Sequence, residues 1–454
     1  MAAPGYRISK LVLCGVLLTT GVARADWDTE TPMTSTGSDV WGEGIATSGS
    51  MVHMIYGTNE IRYRSSSDEG MTWSKDRQLD TGVLHLTDPL IADGNDVWIA
   101  YLKDIQNRTD WCCSRDLGNI YLLHSGDSGQ SWDTPKQLTT NAQAYRISIT
   151  YASGRLHLVW MDFRSSAWDT YYLRSSDRGA SWDAAKRIAI SAGTFGSERP
   201  QIAARGDSVH VTIWDDRGTN PTCMAGPTFT FATCPDTFYV GSLDGGDTWG
   251  AEVPVSYSGA AISGRNDIAV AGTSSVVINF NRSAENTADA NPHMFTVHSP
   301  DNGATWDTAI QLTNQPGQAD HGSIIGSGSN VHLAWHDSRD GALAIYYTLS
   351  TTEGTSWIPE ERVSTAMGTD SSTPLVAVTP NYVHVIWLDH RSGTYQIYYR
   401  RRIVTATSGA DSGGDAGAGE DAGAMSGCGC RASQSEPASL APFLLVAVAL
   451  RRRR

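Results

Sequence analysis

The chain predicts an all-β fold, a seven-bladed β-propeller, on three observations. The first is a turn of the form Ser-x-Asp-x-Gly-x-(Thr/Ser)-Trp, at Ser66–Trp73, Ser125–Trp132, Ser175–Trp182, Ser242–Trp249 and Ser299–Trp306. A sixth copy, Ser350–Trp357, carries Thr352 where the others carry Asp68, Asp127, Asp177, Asp244 and Asp301. Tryptophan is scarce in average proteins, so its return at one spacing marks a structural repeat. The second observation is an apolar strand that recurs seven times, at Val52–Tyr56, Val97–Tyr101, Leu156–Trp160, Val209–Ile213, Val276–Phe280, Val331–Trp335 and Val383–Trp387. These copies stand about 55 residues apart, the length of a four-stranded blade. The third is the absence of helical periodicity between turns rich in Gly and Asp.

Each part of the repeat has a physical reason. The turn Asp is expected to accept hydrogen bonds from backbone N–H groups two residues on. The Gly supplies a left-handed backbone angle without steric cost. The Trp seats the turn against a neighbouring layer. Strand-like residues precede every turn, such as Tyr121–His124 and Tyr171–Arg174, so each turn closes a β-hairpin. Six turns against seven strand sets leave the last blade without an outer strand. Trp27-Asp28-Thr29 at the N-terminus parallels Trp132-Asp133-Thr134 after the second turn. Pairing this segment with the last strands closes the ring and removes an open edge. Six blades are the alternative count.

The turns resemble the Asp-box, or BNR, repeat of the sialidase-like β-propellers, over residues 27 to about 404. The resemblance implies the fold and, less narrowly, a function, because sialidases, other glycosidases, lectins and proteins without activity share this repeat. It also implies that ligands meet the ring on the face away from the boxes, where the inner strands begin. Sialidases of this class carry Arg-Ile-Pro before the first box, and nothing before Ser66 matches it. The nearest sequence, Tyr145-Arg146-Ile147-Ser148, lies in the third blade and lacks the Pro.

The ends of the chain read as addresses. Residues 1–25 have Arg7 and Lys10, an apolar stretch from Leu11, and Ala23-Arg24-Ala25, which is a secretory signal with its cleavage site. The propeller is expected over 26–405 and an acidic Gly/Ala linker over 406–427. Residues 428–454 hold Cys428-Gly429-Cys430, an apolar run and Arg451–Arg454. This tail resembles the MYXO-CTERM sorting signal, which implies processing near Cys428 or Cys430 and display at the cell surface or outer membrane. A simple tail anchor is the other reading, and contact with a membrane is expected only there. The net charge of −14 is dispersed and no basic patch stands out, so nucleic acid is not an expected partner. Cys223 and Cys234 flank one loop and are expected to form a disulfide in an exported chain. Cys112 and Cys113 are adjacent, and either a vicinal disulfide or two free thiols fits them. No metal and no cofactor is expected, and the ring is expected to be a monomer.

In a repeat protein, residues that recur in register belong first to the scaffold, and site residues occur once. His53, His157, His210, His332 and His384 share one position of one strand and read as packing rather than as metal ligands. Asp162 with Arg164, Asp216 with Arg217, Asp337 with Arg339 and Asp389 with Arg391 read as turn locks. The inner strands begin near Gly42, Asp88, Arg146, Arg199, Asn266, His321 and Thr373, with Glu198, Arg265, Asp267, Asp320 and Asp370 around them. Arg146, Arg199, Arg265, Asp88, Glu198, Asp267, His321 and Asp370 are therefore the candidate ligand-binding residues. Guanidiniums suit bidentate capture of a carboxylate or sulfate. Carboxylates suit sugar hydroxyls or acid–base work. Three insertions, 104–119 with Trp111, 218–236 with Phe229 and Phe231, and 282–292, add candidate binding loops. The leading expectation is a surface-displayed propeller that binds glycan or another extracellular polymer. The alternatives are a glycoside hydrolase with a rearranged site and a protein-binding scaffold.

Overall fold

The computed structural model describes residues 26–35, 37–85, 89–104, 117–189, 196–215, 217, 223–226, 229–231, 235–256, 263–283, 291–404 and 430–431. Seven antiparallel sheets form the blades of one propeller, and no helix occurs among the described residues. Blade 3 shows the plan: Ala144–Ala152 is innermost, followed outward by Arg155–Asp162, Asp169–Ser175 and Lys186–Ala189. The other inner strands are Glu43–Ser48, Leu90–Asp93, Ser197–Arg205, Ser263–Ala271, Ala319–Ser327 and Ser371–Val378. Apolar faces between adjacent sheets form the core; Trp98, Trp160, Trp335 and Trp387 lie fully buried there. Cys430–Arg431 pairs with Ile91–Ala92 on the inner edge of blade 2. The rest of the tail, the leader, Cys112, Cys113 and Cys234 lie outside the described residues, and with them the expected disulfide and both sorting signals.

The ring closes through its N-terminus. Thr31 and Pro32 pair with Tyr399 and Tyr398 as the outer strand of blade 7. Asp28 donates its N–H to the Arg401 carbonyl at 2.9 Å, as Asp133 does to His124 in blade 2. Trp27 sits edge-on to Tyr347 with centroids 5.3 Å apart, as Trp132 sits on Tyr63 at 5.1 Å. Trp27 is thus the turn tryptophan of a blade that has no turn of its own.

The turns use their residues differently from the expectation in one respect. The Asp127 carboxylate accepts from the N–H and hydroxyl of Ser131, four residues on rather than two. The Ser125 hydroxyl donates to that carboxylate and accepts the Gly129 N–H at 2.8 Å. The donors at Ser131 hold the Asp127 carboxyl down at about 2. In blade 6, Thr352 takes the place of the carboxylate and accepts the Ser356 N–H at 3.0 Å. Glycine has a second reason beyond its angle. At Gly129 (φ +83°) an added Cβ would stand 1.8 Å from the Tyr63 hydroxyl of the preceding blade. Gly70, Gly246 and Gly303 face Tyr399, Tyr172 and Tyr239 in the same way. Gly129→Ala combines left-handed strain with overpacking and should cost on the order of 3 kcal/mol in urea unfolding. A loss below about 0.5 kcal/mol, the scale of an ordinary surface substitution, would contradict this close approach.

The same tyrosines explain the recurring histidines. Nδ1 of His53, His157, His210, His332 and His384 meets the hydroxyl of Tyr63, Tyr172, Tyr239, Tyr347 and Tyr399 at 2.7–2.8 Å. Tyr63 passes the chain on to the Ser128 carbonyl of the next turn. Each set ties two blades together. The Asp–Arg locks also hold at the far ends of these strands, with one change. Arg217 pairs with Asp215 at 2.7 Å, not with Asp216, which lies outside the described residues. Asp215 stands opposite Ser197 and Asp236, as Asp162 stands opposite Ala144 and Asp169, so register makes it the lock.

Candidate functional site

The face opposite the turns is built by one repeated irregularity. Pairing of the inner strand with its neighbour slips between Tyr145 and Ile147, Glu198 and Gln201, Gly264 and Asp267, Asp320 and Ser323, and Ser372 and Leu375. At each slip one residue takes a left-handed backbone: Arg146 (φ +48°), Arg199 (+53°), Arg265 (+40°), His321 (+53°) and Thr373 (+51°). Such angles are uncommon outside glycine. A bulge re-aims the side chain it carries, and here it does so around the channel mouth. The blade 5 position is Arg265 rather than Asn266. The arginines also recur in register through three consecutive blades, so the expectation that they stand alone in the repeat does not hold. What recurs is the bulge, and blades 3, 4 and 5 fill it with guanidinium.

Arg146, Arg199, Arg265 and His321 line one open depression, with Asn266 and Asp267 among its walls. Arg146 and His321 are buried, at 3% and 7% exposure. The Nε of Arg265 donates to Asp320 at 3.0 Å, and its Nη1 contacts Nε2 of His321. Asp267 lines the depression, but its carboxylate accepts the N–H groups of Ile268 (2.7 Å) and Ile324 (3.0 Å), which tie blade 5 to blade 6. Asp320 is held by Asn281 and by the N–H of His321. Asn266 donates to the Arg199 carbonyl, and its buried Oδ1 takes no hydrogen bond from the described residues.

The other expected residues lie apart. Glu198 is buried opposite Trp214 and is not in the lining. Asp370 stands at the blade 7 rim, where its carbonyl takes the His390 N–H. Asp88, Trp111 and the side chains of Phe229 and Phe231 are outside the described residues. The residue that sequence reasoning missed is His336. It is 2% exposed, and its Nε2 lies 3.2 Å from Nδ1 of His321. It follows Trp335, where blades 3 and 7 carry Met161 and Leu388 and blade 5 carries Asn281, and a polar residue at a position other blades fill with apolar side chains was its signal. Buried Glu43, bonded by the Thr373 hydroxyl at 3.1 Å, was also missed.

Asp320, His321 and His336 bring three metal-type ligand atoms within 4.8 Å of one another. Their surroundings do not fit a cation. Three guanidiniums line the same depression, and Arg265 already occupies the Asp320 carboxylate. The Thr373 N–H donates to Nδ1 of His336, whereas a metal on Nε2 would require a proton at Nδ1. Burial pushes His336 down to about 4. Burial, then Arg265, keeps His321 well below the usual imidazole range. Both rings are neutral at pH 7.

No protein-family model and no curated protein matches this chain. Solved structures match its fold. One is a protein of unknown function from Dyadobacter fermentans, 12% identical, with a TM-score of 0.52 over 84% of this chain and 100% of that one. A second is a PL25 ulvan lyase bound to -[GlcA(1-4)Rha3S]-, 12% identical, with a TM-score of 0.54 over 80% of this chain and 93% of that one. A third is the polysaccharide lyase Uly1, 10% identical, with a TM-score of 0.51 over 80% of this chain and 90% of that one. At these identities the likeness is one of fold.

Proposed function

We propose that this chain is an exported, surface-displayed propeller of the Asp-box class that binds an acidic glycan at the channel mouth. The observation that carries the reading is a depression in which three consecutive blades present Arg146, Arg199 and Arg265 beside His321. Charge-assisted bonds from converging guanidiniums are stronger than neutral ones. On a chain of net charge −14, this local cluster selects an anionic group. A propeller of the same fold bound to a uronate- and sulfate-bearing polymer supports the reading. The secretory signal and the tail imply that such a polymer is met outside the cell.

The test is a glycan array of acidic and neutral polymers, followed by titration with Arg146→Ala and Arg199→Ala. Each substitution should weaken binding about tenfold or more while the melting temperature stays near that of the parent, since a bond from a charged group contributes about 1.5–3 kcal/mol. Unchanged affinity in both variants would move the site to the insertion loops. The hydrolase alternative requires two carboxylates about 5–9 Å apart with room for a sugar between them. Asp267 and Asp320 are both engaged by backbone N–H groups, and Asp320 also by Arg265, which favours binding over hydrolysis. A panel of fluorogenic glycosides checks this directly, and turnover abolished by Asp320→Asn would reverse the preference.

A further inference from the structure

The hydrogen bonds behind the depression fix where its protons sit. The Thr373 N–H donates to Nδ1 of His336 at 3.2 Å. A backbone N–H only donates, so Nδ1 of the neutral ring carries the lone pair and Nε2 carries the proton. That Nε2–H lies 3.2 Å from Nδ1 of His321, which must therefore accept. Asp320 Oδ2, at 3.5 Å from the same Nδ1, is too distant to hold a proton there and is occupied by Arg265. His321 is then protonated at Nε2, the nitrogen that faces Nη1 of Arg265. Two donors meet head to head at the channel mouth. Among the described residues, the charged and titratable groups that act most on His321 are Arg265, His336, Arg199 and Arg146, with Asp320 beside it, and of these only Asp320 is a carboxylate, held by the Nε of Arg265 rather than between the two N–H groups.

We infer that His336 is a positioning residue that makes His321 an N–H donor, and that the Arg265–His321 pair is completed by one oxygen of a sulfate or carboxylate group on a polysaccharide. The ligand part rests on the proposed acidic-glycan function; the proton placement does not. An oxyanion oxygen accepts from both N–H groups at once and removes their opposition. Its remaining oxygens face the guanidiniums of Arg146 and Arg199, which line the same depression. A neutral hydroxyl oxygen brings its own proton into a site already crowded with donors, so an uncharged polymer should bind far more weakly.

Two measurements on the full chain test this. The first is ¹⁵N–¹H correlation of histidine-labelled protein at pH 7, with His321 assigned by loss of its signals in His321→Gln. Protons on Nε2 of both His321 and His336 are expected. A proton on Nδ1 of His321 overturns the relay, whether or not any polymer binds. The second is affinity electrophoresis against dextran sulfate, polygalacturonate and unmodified dextran. One of the two anionic polymers should bind at least tenfold tighter than dextran; dextran sulfate identifies a sulfate and polygalacturonate a carboxylate. His336→Leu should lose about tenfold on that polymer. His336→Gln, which keeps an acceptor for Thr373 and a donor for His321, should stay within about threefold of the parent. Equal binding of dextran overturns the oxyanion inference alone. Failure of every polymer to bind overturns the proposed function as well. Unchanged affinity in a folded His336→Leu overturns the role of His336.

Discussion

Lowering the pH from 7 to 5 should strip the propeller of most of its stability. The five histidines in one register are fully buried, with Nδ1 bound to a tyrosine hydroxyl. Burial lowers His53 to about 4 and His157, His210, His332 and His384 to about 3. In the unfolded chain each returns to about 6.5. The unfolded state therefore binds more protons, and stability rises with pH through this range. The contribution is complete above about pH 6.5 and is lost as pH falls toward 3–4. At 1.36 kcal/mol per pH unit, each histidine gives up about 2 kcal/mol by pH 5, or on the order of 10 for five independent sites. A domain holds only about 5–15 kcal/mol in total. Urea unfolding followed by tryptophan fluorescence should show the loss, with acid unfolding between about pH 4 and 5.5. His157→Gln should lower the slope of stability against pH by about one proton. The turn carboxylates do not share in this window, because those of Asp127 and Asp177 sit at about 2 and begin to matter only below about pH 4. Equal stability at pH 7 and pH 5 would contradict the buried, neutral assignment.

The histidines also show which parts of the molecule were legible. A scaffold feature repeats, so it could be read without knowing what it touches. The turns, the seven strand sets and the match of Trp27 to Trp132 gave the blade count and the closing strand. The contact partners were less legible. Nothing in Ser-x-Asp-x-Gly says that the glycine meets a tyrosine hydroxyl of the preceding blade, because that tyrosine belongs to another repeat. The lock in blade 4 was misread as Asp216 because Trp214 stands one step late and the register to Ser197 cannot be seen from one strand.

The site was legible in its residue types and not in its construction. Arg146, Arg199, Arg265 and His321 were picked out because they are charged or polar where inner strands begin, and the structure brings the four into one depression. The bulge that aims them left no trace, since a left-handed arginine looks like any other arginine in a sequence. Asp267 looked like a ligand group, but its acceptors go to backbone N–H groups of two blades. His336 escaped because it lies on the second strand, one layer behind the mouth, and reaches the site only through His321.

Removing residues 26–35 should destabilise the domain far more than the length of the segment suggests. The segment is small but holds blade 7 in four ways. Thr31 and Pro32 cover the edge of Gln396–Ile403. Trp27 packs against Tyr347 and donates its indole N–H to Glu361 at 3.1 Å. Asp28 pairs with Arg401 at 2.9 Å and Glu30 with Arg391 at 2.6 Å. Met33 is buried, and Thr34 donates to Gln396 at 2.8 Å while accepting the Ile397 N–H. Deletion leaves Arg391 and Arg401 without these carboxylates, opens the core beside Met33 and exposes an unpaired strand edge, which is a template for aggregation. The truncated chain should melt about 5–10 °C lower than the parent or fail to stay soluble, because at about 2.1 cal/mol/K per residue each kcal/mol lost lowers the midpoint of a domain this long by only about 1 °C, and the deletion removes several contacts at once. Trp27→Ala alone should cost about 2 kcal/mol, less than the 3–5 of a fully buried aromatic, because Trp27 is only partly buried. Its effect should be smaller than that of the deletion, and Asp28→Ala should be milder still, because its carboxylate is largely exposed. This ordering separates closure by packing and pairing from closure by charge. A deletion variant that melts within about 2 °C of the parent would show that blade 7 stands without its N-terminal strand.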